Sequence, residues 1–548
     1  MTTARVRSAA LAVLVLLLAA CTAIPTAGPV VRSDVVVNDP GAAENVPEGP
    51  RTGAGPTDLV ESFLIAGAQG FGDEFATARE YFSGEARQTW KPLAGVVVAG
   101  TLTYTQTSDT QVTIDAPLLA RVDGDGRYTE QPQDARESVT YDLVRNSDGE
   151  WRISSAPDGL VLPQVVFDTQ FRAASVYFLS ADKKYLVPET RWFPVDHLPT
   201  YVMKALLAGP SPWLRDAVVS AIPDGTQLKP DAVQVDDAGV AQVGLAPMPA
   251  VLAADRGLLL AQIEASLLPI SSVGSVNVTT GDVILEGADV LEGGSPVSGA
   301  LEFLQAGRLM TMKGQTVQPV DGVGTLDGLS LRHPARDEPG VVRVGVSHGN
   351  ALVTVPMGDE SPATLAVGSH LVAPSVDRFG WAWTATGGRI ITGHSGLDPV
   401  EVKAAFLEGR HVRSVRVARD GTRIAVVSDG SDGVAIQVGA IVRDAKGAPQ
   451  QIGDVIRAGG ALTDASTVVW SEESVLAVIG TSAGTQAVHR VPVAGPSLAL
   501  PEVSGLDSIA GGRILYSSTT AGDLLRYAVS SWTAVAGVSD VLDPSYPG

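Results

Sequence analysis

The sequence predicts a multidomain, β-rich protein. It reads as an α+β N-terminal domain, an α/β middle domain and a C-terminal all-β, propeller-like domain. Three observations carry that expectation. Only 5% of the 548 residues are aromatic, while Val, Ala, Gly and Thr abound, a composition that favours pleated structure over disorder. The apolar period switches from helical to alternating within the first hundred-odd residues and again further on. Finally, an Asp-containing turn recurs about every 40 residues in the second half, the spacing of four-stranded propeller blades.

Residues 57–160 open with a helix start at Thr57-Asp58-Leu59-Val60-Glu61 and an apolar stripe of Leu59, Phe63 and Ala66. A second helical stretch is expected around Phe75, Ala78, Tyr81 and Phe82. Period-two segments follow at Thr101–Thr105, Val112–Ile114, Ser138–Leu143 and Trp151–Ile153. Helices followed by a meander predict a curved sheet of the cystatin or NTF2 kind. Residues 165–295 alternate instead. The strand Ala174–Leu179 precedes a helix near Tyr201–Leu207, stopped by Gly209-Pro210, and a longer helix near Arg256–Leu268 lies among further short strands.

From 300 to 548 the one helical candidate is 402–407. Asp337, Asp377 and Asp420 stand 40 and 43 residues apart, each beside strand-like runs such as Val415–Val417 and Ile424–Val426. One strand, a tight turn and a second strand recur, with looser copies near Val468–Val478 and Ser508–Leu515. The region has room for five or six blades.

The first 56 residues read differently. Arg5 and Arg7 precede an apolar run from Ala9 to Ala20, whose helical length of about 18 Å is too short for a ~30 Å hydrocarbon core. A basic start, a short apolar centre and small residues at the cut predict a signal peptide over 1–20. Leu18-Ala19-Ala20-Cys21 resembles a bacterial lipobox. Cys21 is therefore the expected lipidation site, taking S-diacylglycerol on sulfur and an acyl chain such as palmitate on the freed amine. Two or more chains anchor stably where one does not. Residues 21–56 are rich in Pro and Gly and read as the lipidated Cys and its tether, a coil spanning roughly 30–35 Å. The expected location is the outer face of a cell membrane.

Cys21 is the only cysteine, which excludes a disulfide framework and a thiolate metal site. With 39 basic and 60 acidic residues, the net charge of −21 disfavours nucleic acid and anionic headgroups as partners.

Catalytic patterns are weak. Gly480-Thr481-Ser482-Ala483-Gly484 has the nucleophile-elbow spacing, but a strand-like run follows where a helix is needed, so a hairpin loop is expected. Asp123–Gly126 and Asp429–Gly433 lack the full calcium-loop spacing and read as turns. Trp381 and Trp383 share a strand face and read as packing between blades in preference to a sugar platform. Glu472-Glu473 reads as a solvated strand edge. The seven histidines, from His197 to His489, show no ligand spacing. No catalytic set, cofactor or metal site is expected.

Taken in order, these residues resemble the LpqB family of actinobacterial lipoproteins along the whole mature chain. The middle region is similar to the GerMN (sporulation and germination) domain at Tyr177-Phe178-Leu179, Leu186–Arg191, Lys204–Leu214 and Ala261–Leu268. Val412–Val427 resembles the propeller repeat of that family. The resemblance implies a non-enzymatic accessory of the MtrA–MtrB two-component system. Such a protein contacts the extracellular domain of the membrane sensor kinase and influences cell-wall homeostasis and division. Two other expectations stand beside it: a binder of cell-wall glycan or peptide, and a hydrolase built at the propeller's axial channel.

Overall fold

The computed structural model describes residues 47–293 and 299–548. The expected signal peptide, Cys21 and most of the tether lie outside the described residues.

The N-terminal part wraps a seven-stranded sheet around the helix Pro56–Ala68. Its organising element is the long strand Gln111–Asp123, which alternates buried and exposed positions so that Val112, Ile114, Ala116, Leu118, Ala120 and Val122 all face the core. Gly95–Ala99 pairs antiparallel with it and parallel with Leu160–Pro163. Phe63 on the helix meets Tyr81, Phe82, Trp90 and Tyr141 at ring separations of 5.1–6.0 Å. The second helical stretch shrinks to Ala76–Arg79. Glu74 and Phe75 adopt left-handed conformations just before it and deny it a longer start.

The middle part pairs Phe171–Ser180 with Leu186–Pro194 as a long hairpin. Its second sheet contains Val240–Ala246 parallel to Ser275–Thr280. Helices Leu198–Ala208 and Arg256–Leu267 cover these sheets; Asp255 caps the latter by accepting from the Leu258 amide.

The C-terminal part is six four-stranded antiparallel sheets arranged as blades. Their innermost strands are Val541–Ser545, Leu331–Arg336, Ser375–Val376, His411–Val417, Asp464–Glu472 and Leu506–Ala510. The first blade is composite, because Val541–Ser545 pairs with Leu301–Gln305. The helical candidate at 402–407 is one 3₁₀ turn, Ala405–Leu407, after the edge strand Val400–Val402.

The repeated aspartates explain the blade register. Each sits in the turn after an innermost strand and folds its carboxylate over the following amides. Asp337 Oδ1 accepts from Val342, Asp377 Oδ1 from Phe379 and Trp381, and Asp420 Oδ1 from Thr422 and Arg423. A side chain thus satisfies amides that a bare turn would leave buried. Asp377 is 2% exposed and also bonds Trp383 Nε1 and Arg443.

Residues 47–548 form one compact unit. A single apolar core runs from Val176 and Trp213 in the middle part into Val427, Val438, Leu476 and Val491 of the fourth and fifth blades. Ala494 of the fifth blade likewise joins the N-terminal core. Domains joined by polar contacts alone move by default; here the core itself is shared.

Candidate functional site at the three-domain junction

The hairpin Phe171–Pro194 positions the junction, because its turn and its two strands reach the propeller at successive heights. At the turn, Asp182 accepts both Arg378 nitrogens at 2.7 and 2.8 Å, a bidentate fork, while the Arg378 guanidinium lies over the Tyr185 and Phe379 rings. Along the strands, the Tyr177 hydroxyl donates to Glu473 at 2.8 Å, and Arg423 reaches the carbonyls of Pro188 and Glu473. Arg423 is 2% exposed, ion-paired with Asp420 and stacked over Trp470. At the hairpin's end, Trp192 Nε1 donates to the Ala494 carbonyl at 2.8 Å and stacks on Tyr128 of the N-terminal part.

The N-terminal part reaches the propeller directly. Glu130 accepts from the Ser497 amide and hydroxyl at 2.7 and 2.6 Å and from the Ala461 amide. Two glycines make these approaches possible. A Cβ on Gly460 would stand 2.1 Å from the Glu130 carbonyl oxygen, and one on Gly126 2.7 Å from that of Trp192. Where the three parts meet, Arg127, Glu189, Trp213, Arg423 and Arg457 line a cavity of about 330 Å³. Inside it, Glu189 receives Arg191, Trp213 Nε1 and the Ser211 amide.

Burial and the neighbouring Glu473 carboxylate hold the Tyr177 phenol above its ordinary range. For Asp182, burial alone would raise the pKa, but hydrogen bonds from Arg378 and Ser180 outweigh it and bring it down to about 2. The folded value lies below the ~3.9 of an unfolded aspartate. Its stabilisation is therefore complete above pH ~4 and disappears as pH falls through about 2. Thermal unfolding of wild type should lose stability between pH 5 and pH 2 that Asp182→Asn does not lose; equal losses would contradict this account.

Residues on or beside the six innermost strands, including Ala335, Pro374, Arg416, Trp470, Ile509 and Pro544, line an axial cavity that holds only about 40 Å³ beside Tyr546–Gly548. That is room for about three waters, not for a substrate. Arg416 donates to the carbonyls of Ala373, Pro374 and Val415 and is pulled down to about 10 by burial, with Asp543 opposing. Elsewhere in the channel, Asp543 accepts from Arg332 Nε at 2.6 Å, and His333 Nδ1 stands 2.8 Å from it. Burial would raise the Asp543 carboxyl, but His333 and Arg332 hold it far below its ordinary range.

The sequence candidates scatter. Ser482 of the elbow-like pattern pairs with Thr485 across the two-residue turn Ala483-Gly484, both left-handed, as a tight hairpin requires. Asp123 Oδ1 accepts from the amides of Asp125 and Arg127, and Asp432 bonds Arg410 and Arg457. Trp381 and Trp383 are buried in the apolar cluster shared by the third and fourth blades. The solvated-edge reading of Glu472-Glu473 needs correction: Glu472 pairs with Arg490 in solvent, but Glu473 lies at the junction against Tyr177. Among the described residues no cluster of metal-ligand type occurs. No helix there is long and apolar enough to cross a membrane.

Sequence reasoning missed Asp182, Arg378, Arg423 and Glu130. The partners that join them across the junction, Arg378 for Asp182, Glu473 for Arg423 and Ser497 for Glu130, lie 50 to 367 residues away, and no local pattern marks them.

Residues 49–168 match the N-terminal domain of lipoprotein LpqB, 175–283 the sporulation and spore germination domain, and 307–547 the LpqB β-propeller domain. Lipoprotein LpqB of Streptomyces avermitilis is 26% identical over 91% of each chain. The proteins of that name from Cutibacterium acnes and Thermobifida fusca are 28% and 27% identical, over 89% of each chain and over 79% and 80% of the two chains. With all three domains matched in order, and relatives aligned along nearly their full length, the chain belongs to the LpqB family of lipoproteins.

Proposed function

We propose that the chain is a lipid-anchored, extracytoplasmic, non-enzymatic scaffold that binds the ectodomain of a two-component sensor kinase of the MtrB kind. Through that contact it influences cell-wall homeostasis and division. The observation that carries this reading is the shared core and the junction of Asp182, Arg378, Arg423 and Glu130, which tie three domains into one body. A rigid body presents an extended surface without the ordering cost that a flexible chain meets on binding. Immobilised full-length protein in detergent should retain a purified kinase ectodomain; failure to retain it would overturn the scaffold reading.

The anchor is assigned to Cys21, with the residues before it removed and the residues after it acting as a leash. Cys21→Ser should shift the protein from the membrane fraction to the soluble exported fraction. Retention equal to wild type would contradict a thioether anchor.

A second reading has one observation in its favour. The His333–Asp543 pair holds an imidazole by a carboxylate inside the channel, an arrangement also used in hydrolysis. The ion pair from Asp543 to Arg332, which fastens the closing strand to its neighbour, favours a structural role. Turnover of any ester or glycoside that His333→Ala abolishes would reverse that preference.

A further inference from the structure

The wall of the N-terminal domain between Phe71 and Ala94 faces the start of helix Leu198–Ala208 across a cleft of about 1170 Å³. None of the residues discussed at the junction or channel lines it. Four of its fifteen lining residues are aromatic, in a chain where aromatics are 5%. Phe71 and Tyr201 are half-buried, and Leu93 at the rim is 43% exposed. The Arg79 guanidinium lies 5.7 Å over the Trp90 ring, held there by a bond to the Arg87 carbonyl.

Two further features single the cleft out. Trp90, which lines the cleft, is 4% exposed, yet its indole N–H has no partner; Asp73, between the lining residues Gly72 and Glu74 in sequence, accepts from the Thr77 amide with one carboxylate oxygen and leaves the other, also buried, unpaired. Each of these orphaned groups calls for an explanation. The backbone is strained on both walls as well: Glu74, Phe75 and His197 have φ of 54°, 63° and 61°. Non-glycine residues seldom adopt this region, and they concentrate at ligand clamps.

The chemistry of the lining narrows the ligand. Arg79 and Lys91 balance Glu74 and Asp158, so the cleft is formally neutral within a chain of net charge −21. Its walls are loops, short helices and the start of helix Leu198–Ala208, with no strand edge for a peptide backbone to extend. A sugar ring suits it, since one face is apolar and stacks on aromatic rings while its hydroxyls both donate and accept. The cleft is wide and largely open, so an extended chain of rings can lie along it. We propose that this cleft binds an extended, uncharged oligosaccharide, with Tyr201 and Phe71 as stacking surfaces. The proposal does not rest on the scaffold reading, and its failure would leave that reading intact.

The test is titration of purified full-length protein with tetra-N-acetylchitotetraose and with cellotetraose, followed by calorimetry and tryptophan fluorescence. Saturable binding of at least one is expected, with a change in emission. Tyr201→Ala should weaken it about tenfold, the worth of one aromatic contact. Because Tyr201 also packs on Phe193, Leu93→Glu at the exposed rim serves as a second variant; it should weaken binding at an unchanged melting temperature. The proposal fails if neither sugar saturates by about 10 mM, or if Leu93→Glu binds as wild type does. It fails equally if tetra-alanine competes the sugar out with higher affinity, since the cleft would then be a peptide site.

Discussion

Arg423→Ala lowers the thermal midpoint of the propeller by about 10 °C. Arg423 is ion-paired with Asp420 at 2.7 Å, bonded to two carbonyls of neighbouring segments and stacked on Trp470, all nearly out of contact with water. Breaking a buried pair from one side leaves the other charge stranded, which costs about 3–5 kcal/mol. At roughly 2–4 °C per kcal/mol for a domain of this size, the shift is large enough for calorimetry to resolve without ambiguity. The double variant Asp420→Ala/Arg423→Leu should regain part of the loss, because no isolated charge then remains. A single-variant shift below about 2 °C would mean that the guanidinium is solvated in solution. Since Arg423 also holds Pro188, the same substitution should loosen the middle domain, seen as faster amide exchange along Leu186–Pro194.

The second large effect belongs to Glu189. Its two oxygens take Arg191 at 2.7 Å, Trp213 Nε1 at 3.1 Å and the Ser211 amide at 3.2 Å, with Glu189 and Arg191 only 2% and 4% exposed. Glu189→Ala strands the Arg191 cation and removes the Trp213 acceptor together, for about 3–5 kcal/mol. Glu189→Gln keeps an acceptor for Trp213 and loses only the charge, and should cost about 1.5–3 kcal/mol. Denaturant unfolding followed by tryptophan emission separates the two, and equal losses would show that the charge carries the whole effect. The segment concerned, Leu207–Trp213, lies within the stretch that most resembles the germination domain. Its sequence is constrained here by a carboxylate that must be surrounded by donors.

The parts of this fold legible in sequence are those whose cause is local. The blade repeat could be read at Asp337, Asp377 and Asp420 because each carboxylate caps its own turn, so spacing in sequence is spacing around the ring. The fifth and sixth blades use Glu472–Ser474 and Gly511-Gly512 at the same place, with no aspartate to mark them, and the count stayed open between five and six. The helix near Phe75 was overestimated because periodicity cannot reveal that Glu74 and Phe75 turn left-handed. The junction was illegible for a different reason. Asp182 sits in a turn with Lys183 and Lys184, where an aspartate is normally solvated, and only tertiary structure brings Arg378 to it from 196 residues away. The cleft was hidden likewise: Tyr201 reads as part of a helix stripe and Trp90 as core, and their common surface appears only when two domains face each other.

The composite first blade imposes an order in time. Leu301–Gln305 waits for Val541–Ser545, a partner made more than two hundred residues later, so the ring cannot close while the chain is still emerging N-terminus first. Until then Leu301–Gln305 presents an unpaired edge, the kind of surface on which strands from other chains add. The two preceding domains are built from nearer contacts and offer the fourth and fifth blades an apolar wall to settle against. The middle domain then acts as an assembly jig for the propeller, and the last strand as its latch.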